Sequence, residues 1–148
     1  MALFRHIVLA TDLTTASEPA HEMATSLVMS CAGRLTVVHV CRAPAFATAG
    51  SAMGCADLVG PCSQAAEEAL GRLVWTLRAK GVRAEPALRV GVAWERIVEV
   101  VREVGADLIV TGTHGRHGIA HLYHGSVAEK VVQESPVPVL AVPSLKAT

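Results

Sequence analysis

The chain has 148 residues, 51% of them apolar and 18% charged, a balance that excludes a disordered chain and suffices for one core of ordinary size. Basic and acidic side chains number 13 each, which argues against a general nucleic-acid binder, and 3% aromatics leave few platforms for stacking bases. No apolar run approaches the roughly 18 residues of a membrane span, and the amino-terminal stretch with Arg5 and His6 lacks the order of a signal peptide, so the expectation is one cytosolic domain over 1–148 with no nucleic-acid or membrane partner.

In chain order, the first apolar run, His6 to Ala10, is short and rich in β-branched residues and reads as a buried strand. A polar turn, TDLTTAS, leads into a helix carried by Ala20, Met23, Ala24, Leu27 and Val28. Ser17 is the expected cap of that helix, Pro19 sits in its first turn and Gly33 is expected to end it. Leu35 to Val40 is a second buried strand, in which His39 reads as a satisfied core histidine rather than a base. Residues 42–62 have no period, are rich in Ala, Gly, Ser and Pro, and are expected to form a long loop. Ala66, Leu70, Leu73, Val74 and Leu77 mark a helix that stops at Gly81. From Val82 to Val90 the pattern alternates as in a half-exposed strand, and Pro86 places it at a sheet edge. Trp94, Ile97, Val98 and Val101 form the face of a further helix closed by Gly105, and Asp107 to Thr111 is the fourth strand. A turn rich in Gly and His precedes a short helix, Ser126 to Glu134, and a last strand, Val137 to Val142, where Pro138 again marks an edge.

Strands alternating with helices specify an α/β fold with a five-stranded parallel sheet and helices on both faces. Putting the two strands that bear Pro at the edges gives the order 3-2-1-4-5. Its switch point lies between strands 1 and 4, and ligands bind outside the carboxyl ends of strands at such a point. Those ends carry Ala10-Thr11-Asp12 and Thr111-Gly112. The four cysteines, Cys31, Cys41, Cys55 and Cys62, form no CxxC pair and read as free thiols, with a redox pair between Cys55 and Cys62 as the alternative.

The strongest motif is Gly112-Thr-His-Gly115, nine residues, then Gly125-Ser126-Val127. Glycines there let the backbone turn sharply and let a ligand approach without a Cβ in the way. The first amides of the helix at Ser126 and Val127, with the helix dipole, favour a phosphate. The motif is neither a Walker A loop nor a GxGxxG turn, and a glycine-rich turn ended by a serine cap is its plainer reading. Asp12 admits two roles, a ligand contact or the start of an Asx turn. Arg116 is either a phosphate clamp or a solvated loop residue. His114, His117, His121 and His124 are spaced for one helical face, but Gly115 and Gly118 oppose a helix through them, so they read as loop and surface histidines rather than a metal site. Catalysis has thin support, since neither a carboxylate dyad nor a Ser-His-Asp order is evident.

At these residues the sequence resembles the universal stress protein family. The family spacing of Gly, two residues, Gly, nine residues, Gly and Ser or Thr is met by Gly112, Gly115, Gly125 and Ser126. ATD at 10–12, VVHV at 37–40, GADLIVTGTHGRHG at 105–118, GSVAEKVV at 125–132 and PVPVLAV at 136–142 extend the likeness over nearly the whole chain. The resemblance implies a Rossmann-like fold of the adenine nucleotide alpha hydrolase type and, because the glycines are intact, the branch that binds ATP with Mg2+ or Mn2+. It places Ala10 and Thr11 along the adenosine, Asp12 at the ribose or the metal–phosphate region, and the backbone of Val40 at the adenine. Thr111 and Gly112 would flank the ribose; Gly115, Gly125, Ser126 and Val127 would cradle the phosphates, with His114 and Arg116 in the same loop. Two departures are visible: Ala10 where some members have proline, and Val92 where many have an aspartate that caps the next helix. The implied work is regulatory, in a cytosolic homodimer paired through 137–142, with nucleotide acting on the 42–62 loop and on an unidentified protein partner. A slow ATPase or nucleotide-dependent transferase, and an interaction module without nucleotide, are the alternatives.

Overall fold

A computed structural model describes residues 3–42, 55–113 and 126–144, with only the backbone of 55–63 and 126. Its sheet comprises β1 (His6–Ala10), β2 (Arg34–Cys41), β3 (Arg83–Val90), β4 (Leu108–Gly112) and β5 (Val139–Val142). All neighbours pair parallel, in the order β3-β2-β1-β4-β5. The order follows from burial. Ile7, Val8 and Leu9 of β1 are fully enclosed, as a strand covered on both faces must be. Both strands marked by proline lie at the edges, as the sequence predicts.

The helices are α1 (Glu18–Cys31), α2 (Cys55–Ala79), α3 (Ala93–Val104) and α4 (Ser126–Glu134). Alternation along the strands divides the interior in two. Ile7, Leu9, Leu35 and Val37 meet Ala24 and Val28 of α1 and Leu70, Val74 and Leu77 of α2. On the other face Val8, Val38 and Ile109 meet Ile97, Val100 and Val101 of α3 and Val131 of α4. Among the described residues no helix is long and apolar enough to cross a membrane.

Three local expectations are corrected. Residues 55–62 are not loop: they are the first turns of α2, which runs 25 residues, while 43–54 of the expected loop lie outside the described residues. Pro61 within this helix leaves one i→i−4 hydrogen bond unmade, and the rest of the 25-residue helix carries the segment. Ser17 makes no side-chain cap; a 3-10 turn, Thr15–Ser17, precedes α1, and the Ser17 hydroxyl turns back to donate to Asp12 Oδ1 at 2.6 Å. Gly33 is not the left-handed residue that ends α1. Ala32 is, at φ 53°, with its N–H on Met29 O and the Gly33 N–H on Val28 O, the bonding of a Schellman turn. Gly33 is required for another reason, since a Cβ there would stand 2.8 Å from the Arg5 carbonyl oxygen. By contrast Gly105 closes α3 in the left-handed region as expected, and Val92 precedes α3 without a side-chain cap.

Candidate functional site

The switch point forms where β1 and β4 end side by side, with Ala10 in register with Thr111. Thr11 continues the pairing by donating its N–H to Val38 O at 3.0 Å. Its carbonyl accepts from His39 Nδ1 at 2.9 Å, so that ring nitrogen is satisfied as expected, though the ring is half-buried at the sheet end rather than in the core. The Thr11 hydroxyl accepts from the Leu13 N–H at 2.9 Å and meets His21 Nε2 at 2.7 Å. Leu13 pays for this tight turn with a φ of 63°.

Asp12 does what the Asx-turn reading requires. Its Oδ1 accepts from the Thr14 N–H at 2.8 Å, the Thr14 hydroxyl at 2.6 Å and the Ser17 hydroxyl at 2.6 Å. The carboxylate therefore shapes the loop between β1 and α1 before any ligand arrives. Burial pushes the His21 pKa down, against the pull of the Asp12 and Glu18 carboxylates. A neutral ring suits the Thr11 contact, because the threonine hydrogen can then point at Nε2. Beside this turn a cleft of about 290 Å³ opens between α1 and α2, lined by Leu13, Thr14, Glu18, His21, Arg72 and Leu73.

Across the switch point, Thr111 is buried and Gly112 is half-buried at the end of β4. Gly112 does not sit at a positive φ, and a Cβ built on it would meet nothing nearer than the Val142 carbonyl oxygen at 3.9 Å. Among the described residues neither backbone conformation nor crowding calls for a glycine there. Val40 reaches the same end of the sheet on β2, and Val127 lies in the first turn of α4, where its side chain packs on the second core. The expected residues Ala10, Thr11, Asp12, Thr111 and Gly112 are thus gathered at one end of the sheet. His114, Gly115, Arg116, His117, His121, His124 and Gly125 lie outside the described residues, as do the side chains of Ser126, Cys55 and Cys62. Cys31 and Cys41 are in no disulfide. Among the described residues no group of three His, Cys, Asp or Glu could hold a metal by itself.

Sequence reading missed Thr14, Ser17 and His21. Hydroxyls two and five residues after an aspartate are a signal of such a turn and could have found the first two. Nothing in the sequence marks His21, whose role depends on α1 lying against the end of β1.

A comparison with family models matches residues 3–143 to the universal stress protein family. Universal stress protein A homolog 1 of Coxiella burnetii is 31% identical over 141 residues, spanning 94% of this chain and 96% of its own. The solved structure of protein MJ0577 from Methanocaldococcus jannaschii superposes with a TM-score of 0.85 at 23% identity, over 98% of this chain and 99% of that one. The universal stress protein of Archaeoglobus fulgidus in complex with dAMP superposes with a TM-score of 0.65 at 24% identity, over 96% and 99%. Together with the sheet order and the glycine spacing, these matches show that the chain belongs to the universal stress protein family.

Proposed function

We propose that this protein is a regulatory nucleotide-binding protein of the cytosol that takes ATP across the carboxyl ends of β1 and β4. Gly112 carries the reading. A glycine that neither its own backbone nor any described neighbour requires is what a ligand passing close to the main chain would call for. The dAMP bound by the Archaeoglobus relative supports an adenine nucleotide as that occupant. In this reading Ala10, Thr11 and Val40 line the adenosine, Thr111 and Gly112 flank the ribose, and the phosphates lie toward Gly115, Gly125, Ser126 and Val127, with His114 and Arg116 beside them. The amide end of α4 favours that charge. Mg2+ or Mn2+ fits only as a companion of the phosphates, with Asp12 as its carboxylate, because the described residues offer no complete site. There the ion would offset phosphate charge.

The proposal includes a homodimer along β5, an edge strand whose Val139 and Leu140 are half-buried and whose Ala141 is exposed. Val142 belongs to the core and contributes nothing outward. A regulatory protein partner would read the nucleotide state. Calorimetry with ATP and Mg2+ tests the site. The wild-type chain should bind, and Gly112→Val should weaken binding by at least about tenfold, ~1.4 kcal/mol, with its melting temperature nearly kept. Failure of the wild type to bind ATP, or equal affinity in the variant, refutes the reading.

A further inference from the structure

At the opposite, amino-terminal end of the strands, on the face covered by α3, lies a groove of about 340 Å³. The strand register sets His6, Arg34 and Arg83 side by side in one row on this face. Arg34 lines the groove, and among the described residues neither it nor Arg83 has an ion-pair partner. Of the nearby carboxylates, Glu85 pairs with Arg78 at 3.2 Å and Glu103 with Arg89 at 3.0 Å, while Asp107 accepts from the backbone N–H groups of Arg5 and His6. Arg34 thus stands in the groove without an ion-pair partner among the described residues, beside the apolar side chains of Ala87 and Val104.

His6 lines the same groove and is 7% exposed. Its Nε2 is bonded to the Thr36 hydroxyl at 2.7 Å, but its buried Nδ1 has no hydrogen-bond partner. The Val104 backbone is the nearest acceptor, a contact of poor hydrogen-bond geometry that leaves the ring only loosely held on that side.

We propose that this groove is a second ligand site, taking a small organic oxyanion, a carboxylate or a phosphate ester, with its charge at Arg34 and a short apolar body on Ala87 and Val104. The volume sits at the small end of known ligand pockets, and a guanidinium presents the fork that matches an oxyanion. Six residues of strand separate Arg34 from Val40, about 20 Å, so the site is independent of the nucleotide site. Burial first, and the Arg34 charge second, hold the His6 pKa down; the Asp107 carboxylate opposes them. An anion at Arg34 removes the second cause, so its binding should raise the His6 pKa.

Nuclear magnetic resonance titration of the full chain with phenyl phosphate, benzoate and inorganic phosphate tests this. Either organic anion should give saturable shifts confined to the amides of 34–36, 85, 87–89 and 104, and move the His6 titration upward; which of the two binds tighter separates phosphate ester from carboxylate. Arg34→Gln, at an exposed side chain, should weaken binding about tenfold while the melting temperature stays put. The site is refuted by no saturation at about 10 mM, where a millimolar site is largely filled. It is equally refuted by unchanged binding in Arg34→Gln, or by inorganic phosphate matching both organic anions, which would mean an adventitious ion only.

Discussion

Replacing Asp12 by alanine removes the acceptor of three hydrogen bonds at once, at 2.8, 2.6 and 2.6 Å. A bond to a charged group contributes about 1.5–3 kcal/mol, but this turn is only partly buried, and water can reach the freed Thr14 groups. Ser17 is different: it is 4% exposed, so its hydroxyl loses its acceptor in a place water reaches poorly. One bond at full value and two discounted ones give a loss of about 3 kcal/mol. For a chain of this length that corresponds to roughly 6–12 °C in melting temperature. Asp12→Asn keeps an oxygen acceptor and should lose about half as much, because only the charge is removed. Urea denaturation with thermal melts on both variants measures this. A loss under about 1 kcal/mol for Asp12→Ala, or an Asn variant as damaged as the Ala variant, refutes the claim that Oδ1 organises the turn. The folded Asn variant then serves a second purpose: its affinity for ATP with Mg2+ separates a ligand role of the carboxylate from its turn role.

Three further outcomes are expected. The His6 and His21 pKa values are lowered from 6.5 by burial, so the unfolded chain binds more protons below that pH; stability should be full above about 6.5 and fall as pH drops through the window beneath it, and His21→Gln should flatten the slope of melting temperature against pH. Gly33→Ala should cost about 1–3 kcal/mol in denaturant titrations, because its Cβ meets the Arg5 and Phe4 carbonyl oxygens at 2.8 and 3.1 Å, whereas Gly71→Ala, with nothing among the described residues within 4 Å in mid-α2, should stabilise by about 0.5–1 kcal/mol. Ala141→Asp, at the exposed position of β5, should shift light-scattering mass from dimer to monomer without unfolding the chain, and an intact dimer would remove the β5 interface.

What was legible in the sequence had a local cause. β1 and β4 are unbroken apolar runs, and a run enclosed on both faces has no place except the middle of a sheet. Pro86 and Pro138 cannot donate to a ladder on both sides, which pushed β3 and β5 outward. Gly105 marked the end of α3 because a glycine after a periodic segment is the cheapest left-handed residue. The failures share the opposite character. Gly33 looked like the same signal, but its constraint is the Arg5 carbonyl, which only the sheet register brings within 2.8 Å. Ser17 looked like a cap, but Asp12 competes for its hydroxyl from across a turn. Residues 55–62 lacked large apolar side chains at helical spacing, so their helix depends on the longer segment behind them.

The same distinction explains the candidate site. Asp12, Thr111 and Gly112 could be named from their positions at strand ends, but the floor beside them is set largely by contacts distant along the chain. Thr11 has its N–H on Val38, its carbonyl on His39 and its hydroxyl on His21, which ties the floor of the switch point to β2 and to α1 at once. A ligand resting on that floor meets a backbone whose polar groups are already satisfied, so it need not order the turn on binding, and little of its affinity is lost to that step. The open side of the site differs in kind: beyond Gly112 nothing in the described chain approaches within 3.9 Å. On the proposed reading, a floor already bonded and a glycine end uncrowded among the described residues would hold a planar base and sugar while the charged tail extends toward the first turn of α4.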